Sequence, residues 1–161
     1  TLAAYHRTCS AHALEAVMFQ LNPRLAADTY YLGDFPLCRV LLMNDAQYPW
    51  LVLVPRRADL REVHELSEAD QQQLLRESSW VSRQLDEALQ AEKMNVANLG
   101  NVVSQLHWHV VARFVDDPAW PAPIWGKHPV VPYTDEELKE TLAILRAALP
   151  AAGDMALNWV V

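Results

Sequence analysis

One run of nine residues, QLHWHVVAR at positions 105–113, constrains the fold more than any other part of the chain. Its β-branched and aromatic residues predict a strand, on which consecutive side chains point to opposite faces. One predicted face is mostly polar: Gln105, His107, His109 and Val111. The other face is apolar throughout: Leu106, Trp108 and Val110. The pattern predicts a strand that buries one face and directs two imidazoles and an amide from the other.

The histidine pair has two general interpretations, a structural role in the sheet and a zinc site. Both imidazoles could be hydrogen-bonded polar residues on a half-exposed sheet, because buried polar groups normally find partners. They could also supply two ligands to zinc, but a zinc site needs a third and usually a fourth ligand. The remaining histidine, cysteine and acidic residues show no spacing that supplies one. We therefore expect no metal site.

The run resembles the signature of the histidine-triad (HIT) family of nucleotide hydrolases and transferases, in which three histidines alternate with apolar residues on a strand. Gln105 stands at the first histidine position, while His107 and His109 match the second and third. The resemblance extends from about Tyr30 to about Gly126. It implies an α+β, HIT-like fold with a five-stranded, mostly antiparallel sheet, one central helix and a C-terminal helix. It also implies a homodimer.

The resemblance implies catalysis at the α-phosphorus of a nucleotide or dinucleoside polyphosphate. His107 would be the nucleophile, and His109 would orient it and donate to the phosphoryl oxygens. Gln105 would donate an amide hydrogen bond but cannot titrate, so acidic leaving groups should be favoured over amines. No cofactor is implied. The altered first position leaves an alternative open, namely a nucleotide-binding protein that senses or sequesters without turnover.

Further binding residues follow from the same resemblance. A polar residue at the end of the second strand would contact the ribose, and Asn44 and Asp45 both correspond to it. A polar loop before the histidine strand would hold the phosphate, and a tryptophan would close over the site. The candidates for these two roles are Asn98, Asn101, Ser104 and Trp125. Read locally, Asn44 and Asp45 are also ordinary turn residues, and Trp125 could simply pack on the sheet.

Short β-prone runs separated by turn signals predict four strands before the histidine strand, at residues 29–32, 38–43, 50–54 and 94–99. Two helices are predicted to begin at the capping boxes of Ser67 and Thr134. The first should run to about residue 91, with Leu74, Leu75, Val81, Leu85 and Leu89 as its packing positions. We expect an accessory, possibly helical segment at residues 1–20, one domain at 21–150 and a C-terminal tail at 151–161.

Charge and cysteine content limit the classes of binding partner and the cellular compartment. A formal net charge of −7 argues against nucleic-acid or anionic-membrane partners. Cys9 and Cys38 form neither a CxxC motif nor a disulfide framework, which is typical of reduced thiols. No run approaches the roughly 20 apolar residues of a spanning helix, and no secretory signal opens the sequence. The sequence therefore predicts a cytoplasmic protein.

Overall fold

The computed structural model describes residues 18–161, so most of the expected accessory segment lies outside the described residues. Six strands form one sheet in the order β4-β5-β3-β2-β1-β6. The strands are β1 (Thr29–Asp34), β2 (Cys38–Met43), β3 (Trp50–Pro55), β4 (Lys93–Asn98), β5 (Trp108–Arg113) and β6 (Asn158–Trp159). The helices are α1 (Pro23–Asp28), α2 (Glu68–Leu89) and α3 (Asp135–Ala148), with a 3₁₀ turn at Val63–Glu65. Each neighbouring pair of strands is antiparallel.

The sheet corrects the prediction of five strands. The sixth strand, β6, comes from the segment expected to be a tail and pairs with Gly33 and Asp34 of β1. A Cβ atom at Gly33 would collide with the Asn158 carbonyl, so this pairing requires glycine. Residues 18–161 also contain a third helix, α1. Its N-terminus is capped by the Asn22 side chain, which accepts from the amide of Arg24.

The strand register gives the sheet two distinct faces. On the helix face, α2 and α3 cover the main core through Leu74, Val81, Leu85 and Leu145. On the opposite face, which we call the histidine face, Leu41 of β2 is opposite Val52 of β3, and Val52 is opposite His109 of β5. Phe19, Leu21 and Leu25 pack on that face.

Both long helices begin where predicted. Ser67 accepts from the amide of Asp70, and Thr134 forms a reciprocal capping box with Glu137. One packing position was wrong: Leu75 is 62% exposed, because the neighbouring Leu74 supplies the contact with the core. None of the helices in residues 18–161 combines the length and apolar character needed to cross a membrane.

The histidine strand begins at Trp108, three residues later than predicted. Its last pair with β3 at this end is Trp108 with Leu53. Continuing the ladder would bring the chain opposite Pro55, which has no N–H to donate. The Leu106 amide instead donates to the Leu60 carbonyl. The predicted apolar face is nevertheless confirmed, because Leu106 and Val110 are buried in the main core and Trp108 packs against it.

Candidate active site

Two imidazoles lie together at the start of β5. The ring centres of His107 and His109 are 4.8 Å apart and the rings are nearly perpendicular. The two residues are only 6% and 4% exposed. A buried polar pair requires defined hydrogen-bond partners, and those partners determine which ring nitrogen carries the proton.

His107 is fixed by its own chain. Its Nδ1 lies 2.6 Å from the carbonyl oxygen of Gln105. A carbonyl can only accept, so Nδ1 carries the hydrogen and donates. In the neutral ring, Nε2 then keeps an unshared electron pair. That is the state in which an imidazole can act as a nucleophile.

His109 is fixed in the opposite tautomer by a different residue. Trp50 of β3 places its indole Nε1 2.9 Å from Nδ1 of His109. An indole N–H can only donate, so Nδ1 of His109 accepts and its hydrogen resides on Nε2. His109 therefore presents an N–H donor from the side of the ring that faces away from Trp50.

The surroundings of His109 keep it uncharged. Burial, together with the nearby His107, lowers the pKa of His109 from 6.5 to about 3. Protonation would also place a hydrogen on Nδ1, opposite the hydrogen that Trp50 donates. At neutral pH His109 is therefore a hydrogen-bond donor and not a source of protons.

Two tryptophans complete this part of the site. The ring centre of Trp125 lies 5.4 Å from that of His109 and 6.2 Å from that of Trp50. The indole nitrogen of Trp125 is buried and has no hydrogen-bond partner among residues 18–161. The structure thus brings the Trp125 ring to the histidines.

The backbone carbonyl of Gln105 contacts His107, whereas its side chain bonds to the segment before α1. Its Oε1 accepts from the amide of Asn22, and its Nε2 donates to the carbonyl of Gln20, both at 2.8 Å. The side chain thus bonds to a segment more than 80 positions away in sequence. The sequence pattern gave no indication of this contact.

The two candidate ribose contacts hold another part of the fold. The Asn44 side chain accepts from the amide of Tyr133. Asp45 is buried and its Oδ1 accepts from Gln47 and from the amide of Val131. Both side chains therefore fasten the segment that leads into α3.

The three candidate phosphate contacts do not lie together: the strand register places Asn98 on one face of the sheet, while Asn101 and Ser104 lie in a loop. Asn98 is opposite Trp108, so it belongs to the helix face and points away from His109. Asn101 and Ser104 are exposed in the loop before the histidines, and neither side chain makes a hydrogen bond within residues 18–161. Those two side chains remain accessible to a ligand.

A buried ionic network, which the sequence pattern did not reveal, supports the loop that carries Trp125. Arg113 at the end of β5 is 2% exposed and bonds to Asp117, Asn95 and the carbonyl of Ala122. Burial would raise the pKa of Asp117, but hydrogen bonds from Arg113 and two backbone amides hold that pKa below its usual value. The only signal was an arginine ending an apolar strand. Within residues 18–161, no cluster of three or more histidine, cysteine or acidic residues could hold a metal ion.

Comparison with known proteins places this geometry in a family. The HIT domain model matches residues 24–116, more than half of the chain. A histidine triad protein from Marinobacter aquaeolei VT8 is 53% identical and has a TM-score of 0.79, with 81% of this chain and 96% of that chain covered.

Two further solved structures agree. Histidine triad proteins from Sinorhizobium meliloti 1021 and Bradyrhizobium japonicum are each 45% identical with TM-scores of 0.79. Both alignments cover 81% of this chain, and they cover 97% and 98% of those chains respectively. No curated protein matches the chain. The sequence match and the shared fold show that this chain belongs to the HIT family.

Proposed function

We propose that this protein is a nucleotide hydrolase or nucleotidyl transferase that acts at the α-phosphorus, with His107 as its nucleophile. HIT proteins are generally nucleotide-binding hydrolases or transferases, and some HIT-like proteins are regulatory. The observation that carries the proposal is the 2.6 Å contact between Nδ1 of His107 and the Gln105 carbonyl. That contact leaves Nε2 with an electron pair in the neutral ring.

The reaction divides into two displacements. In the first, Nε2 of His107 attacks the α-phosphorus, the N–P bond forms, and the P–O bond breaks as the leaving group takes its electron pair. The Gln105 carbonyl accepts from Nδ1–H and stabilises the resulting imidazolium. In the second, water attacks phosphorus and the N–P bond breaks. Nucleoside monophosphate is released, the water proton passes to solvent, and neutral His107 returns.

In this scheme His109 stabilises charge without transferring a proton. Its Nε2–H donates to a phosphoryl oxygen, and a preorganised donor in a buried site stabilises developing charge strongly. A pKa of about 3 keeps His109 neutral at physiological pH. Gln105 cannot titrate either. The site therefore favours leaving groups that depart as stable anions, such as the phosphates of dinucleoside polyphosphates.

The nucleotide would lie between the exposed loop and the aromatic residues. We assign phosphate contacts to Asn101 and Ser104, whose side chains are exposed. Trp125, whose ring lies beside His109, would close over the substrate. We leave Asn44, Asp45 and Asn98 out of the proposed site, because two of them fasten the segment before α3 and the third belongs to the helix face.

A substrate panel tests this assignment. Release of nucleoside monophosphate would be measured from dinucleoside polyphosphates, adenylylated compounds and nucleoside phosphoramidates. We expect the polyphosphates to be preferred by a wide margin, since general acid assistance is typically worth about 10² to 10⁴ in rate. A preference for the phosphoramidate would contradict the leaving-group argument. Tight binding with no turnover of any compound would support the non-catalytic alternative, which the engaged Gln105 amide favours.

Two further parts of the proposal concern the oligomeric state and the cellular location. We propose a homodimer, because β4 forms one edge of the sheet and exposes Val96 at 44% with little charge to protect that edge. A monomeric mass in sedimentation equilibrium would refute it. We also propose a cytoplasmic location, for which the buried free thiol of Cys38 is the supporting observation.

A further inference from the structure

A short segment before α1 crosses the histidine face of the sheet. We call residues 19–22 the strap. At one end of the strap, the Gln105 amide accepts from Asn22 and donates to Gln20. This pair of bonds imitates the pairing between two strands, with a side chain in place of one backbone. It ties the strap to the chain just ahead of His107.

The other end of the strap is held on a different strand. The ring of Phe19 lies 5.3 Å from the guanidinium carbon of Arg39 on β2, and that guanidinium also stacks on Tyr31 at 4.2 Å. Asp34 pairs with Arg39 and fixes its position. The strap therefore spans from β2 to the start of β5.

The middle of the strap covers the residues beside the histidines. Leu21 and Phe19 pack on the cluster that contains Val52 and Val54. Val52 is directly opposite His109 in the sheet, and its side chain shares the same face. A ligand that approaches the histidines over this part of β3 must therefore pass the strap.

The strap also borders open space. Strap residues Gln20, Leu21 and Asn22 line a cavity of about 670 Å³ together with Leu60 and Ser104. Among residues 18–161, no side chain packs against the strap on the side that faces this cavity. Its hold on the sheet depends on the two anchors and on apolar contacts beneath it.

We propose that Gln105 is a positioning residue: its amide latches the strap across the histidine face, so that the strap controls access to His107. At the first triad position, the glutamine thus provides two complementary bonds to the backbone. An imidazole cannot reproduce the forked donor and acceptor of an amide. The role in access to a nucleophile rests on the function proposed above, whereas the latch itself is tested without substrate.

The test compares full-length variants that differ in the latch. Gln105→Met keeps the length of the side chain and removes both bonds. Gln105→Glu keeps the acceptor for the Asn22 amide and loses the donor to Gln20. Gln72→Met is the matched control, because Gln72 is an exposed glutamine on α2.

Two rates are measured in each protein. One is native-state hydrogen exchange at the Asn22 amide, with the Val110 amide of β5 as an internal reference. The other is carbethoxylation of His107 by diethyl pyrocarbonate, located by mass spectrometry. Loss of two hydrogen bonds should accelerate both rates by roughly tenfold in Gln105→Met. Val110 exchange should stay at the wild-type rate, the control should match wild type, and Gln105→Glu should fall between them for His107 modification.

Each other outcome overturns the proposal. Unchanged Asn22 exchange in Gln105→Met would show that the amide is not a latch. Faster Asn22 exchange with unchanged His107 modification would show that the strap does not guard the nucleophile. Equal acceleration at Asn22 and Val110 would show general destabilisation. Because no substrate is involved, failure of His107 to accept a nucleotidyl group would refute the proposed function and leave the latch intact.

Discussion

Replacing Trp50 with phenylalanine should release the tautomer of His109. The change keeps an aromatic ring on β3 and removes the indole N–H that lies 2.9 Å from Nδ1 of His109. Nδ1 then becomes a buried acceptor without its donor. It also becomes free to bind a proton or to exchange tautomers with Nε2.

The size of the effect follows from that single bond. A buried polar group left without its partner typically costs about 1–3 kcal/mol. For a domain of this size, 1 kcal/mol corresponds to about 2–4 °C in Tm. We expect Tm to fall by roughly 3–10 °C, and the pKa of His109 to move upward from about 3.

The assay is nitrogen-detected NMR of the histidine rings across the range pH 4 to 8. In the wild-type protein, Nε2 of His109 should carry the hydrogen throughout, and Nδ1 should stay unprotonated. In Trp50→Phe, His109 should titrate at higher pH and populate both tautomers. Trp80→Phe is the control, since Trp80 packs edge-on against Phe35 on the helix side and its N–H makes no hydrogen bond within residues 18–161.

A wild-type His109 that carries its hydrogen on Nδ1, or that titrates near its ordinary pKa of 6.5, would refute the role assigned to Trp50. An unchanged tautomer in Trp50→Phe would refute it as well. A fall in Tm of the same size in the Trp80 control would attribute the stability loss to side-chain volume alone.

Three other outcomes are expected. His107→Ala should abolish turnover in a kinetic assay. It should leave most of the nucleotide affinity, measured by calorimetric titration, and the Tm of thermal unfolding intact. Unchanged turnover would show that His107 is not the nucleophile. Because the folded-state pKa of His109 is depressed, the unfolded chain binds the extra proton below pH 6.5, and stability falls as pH drops from 6.5 towards 3. At pH 4.5 this contributes a loss of about 3 kcal/mol, which urea unfolding should show in wild type and not in His109→Gln. Activity should survive a strong chelator, and its loss together with release of stoichiometric zinc would contradict the metal-free scheme.

Alternation of side chains along a strand was enough to predict the central geometry. Leu106 and Val110 are buried in the main core, while His109 shares the other face with Val52. Periodicity succeeds here because one face must be buried and a shift of one residue would expose it. The N-cap at Ser67 and the capping box at Thr134 could be predicted for a similar reason, since they depend on neighbours in sequence.

Contacts between parts of the chain that are distant in sequence could not be predicted from the sequence. The bond from Trp50 to His109 joins residues 59 positions apart and depends on the register of β3 with β5. The Gln105 latch likewise depends on where the strap crosses the sheet. β6 has only two residues, too few for any periodicity, and its pairing depends on the absence of a side chain at Gly33.

The nucleotidyl-histidine intermediate should be detectable in a single turnover. Excess protein would be mixed with a dinucleoside polyphosphate labelled at the α-phosphorus, quenched within one turnover and digested for mass spectrometry. We expect an acid-labile nucleotidyl group on Nε2 of His107, absent from His107→Ala and lost as nucleoside monophosphate appears. Turnover with no label on His107, or a label on another residue, would contradict it.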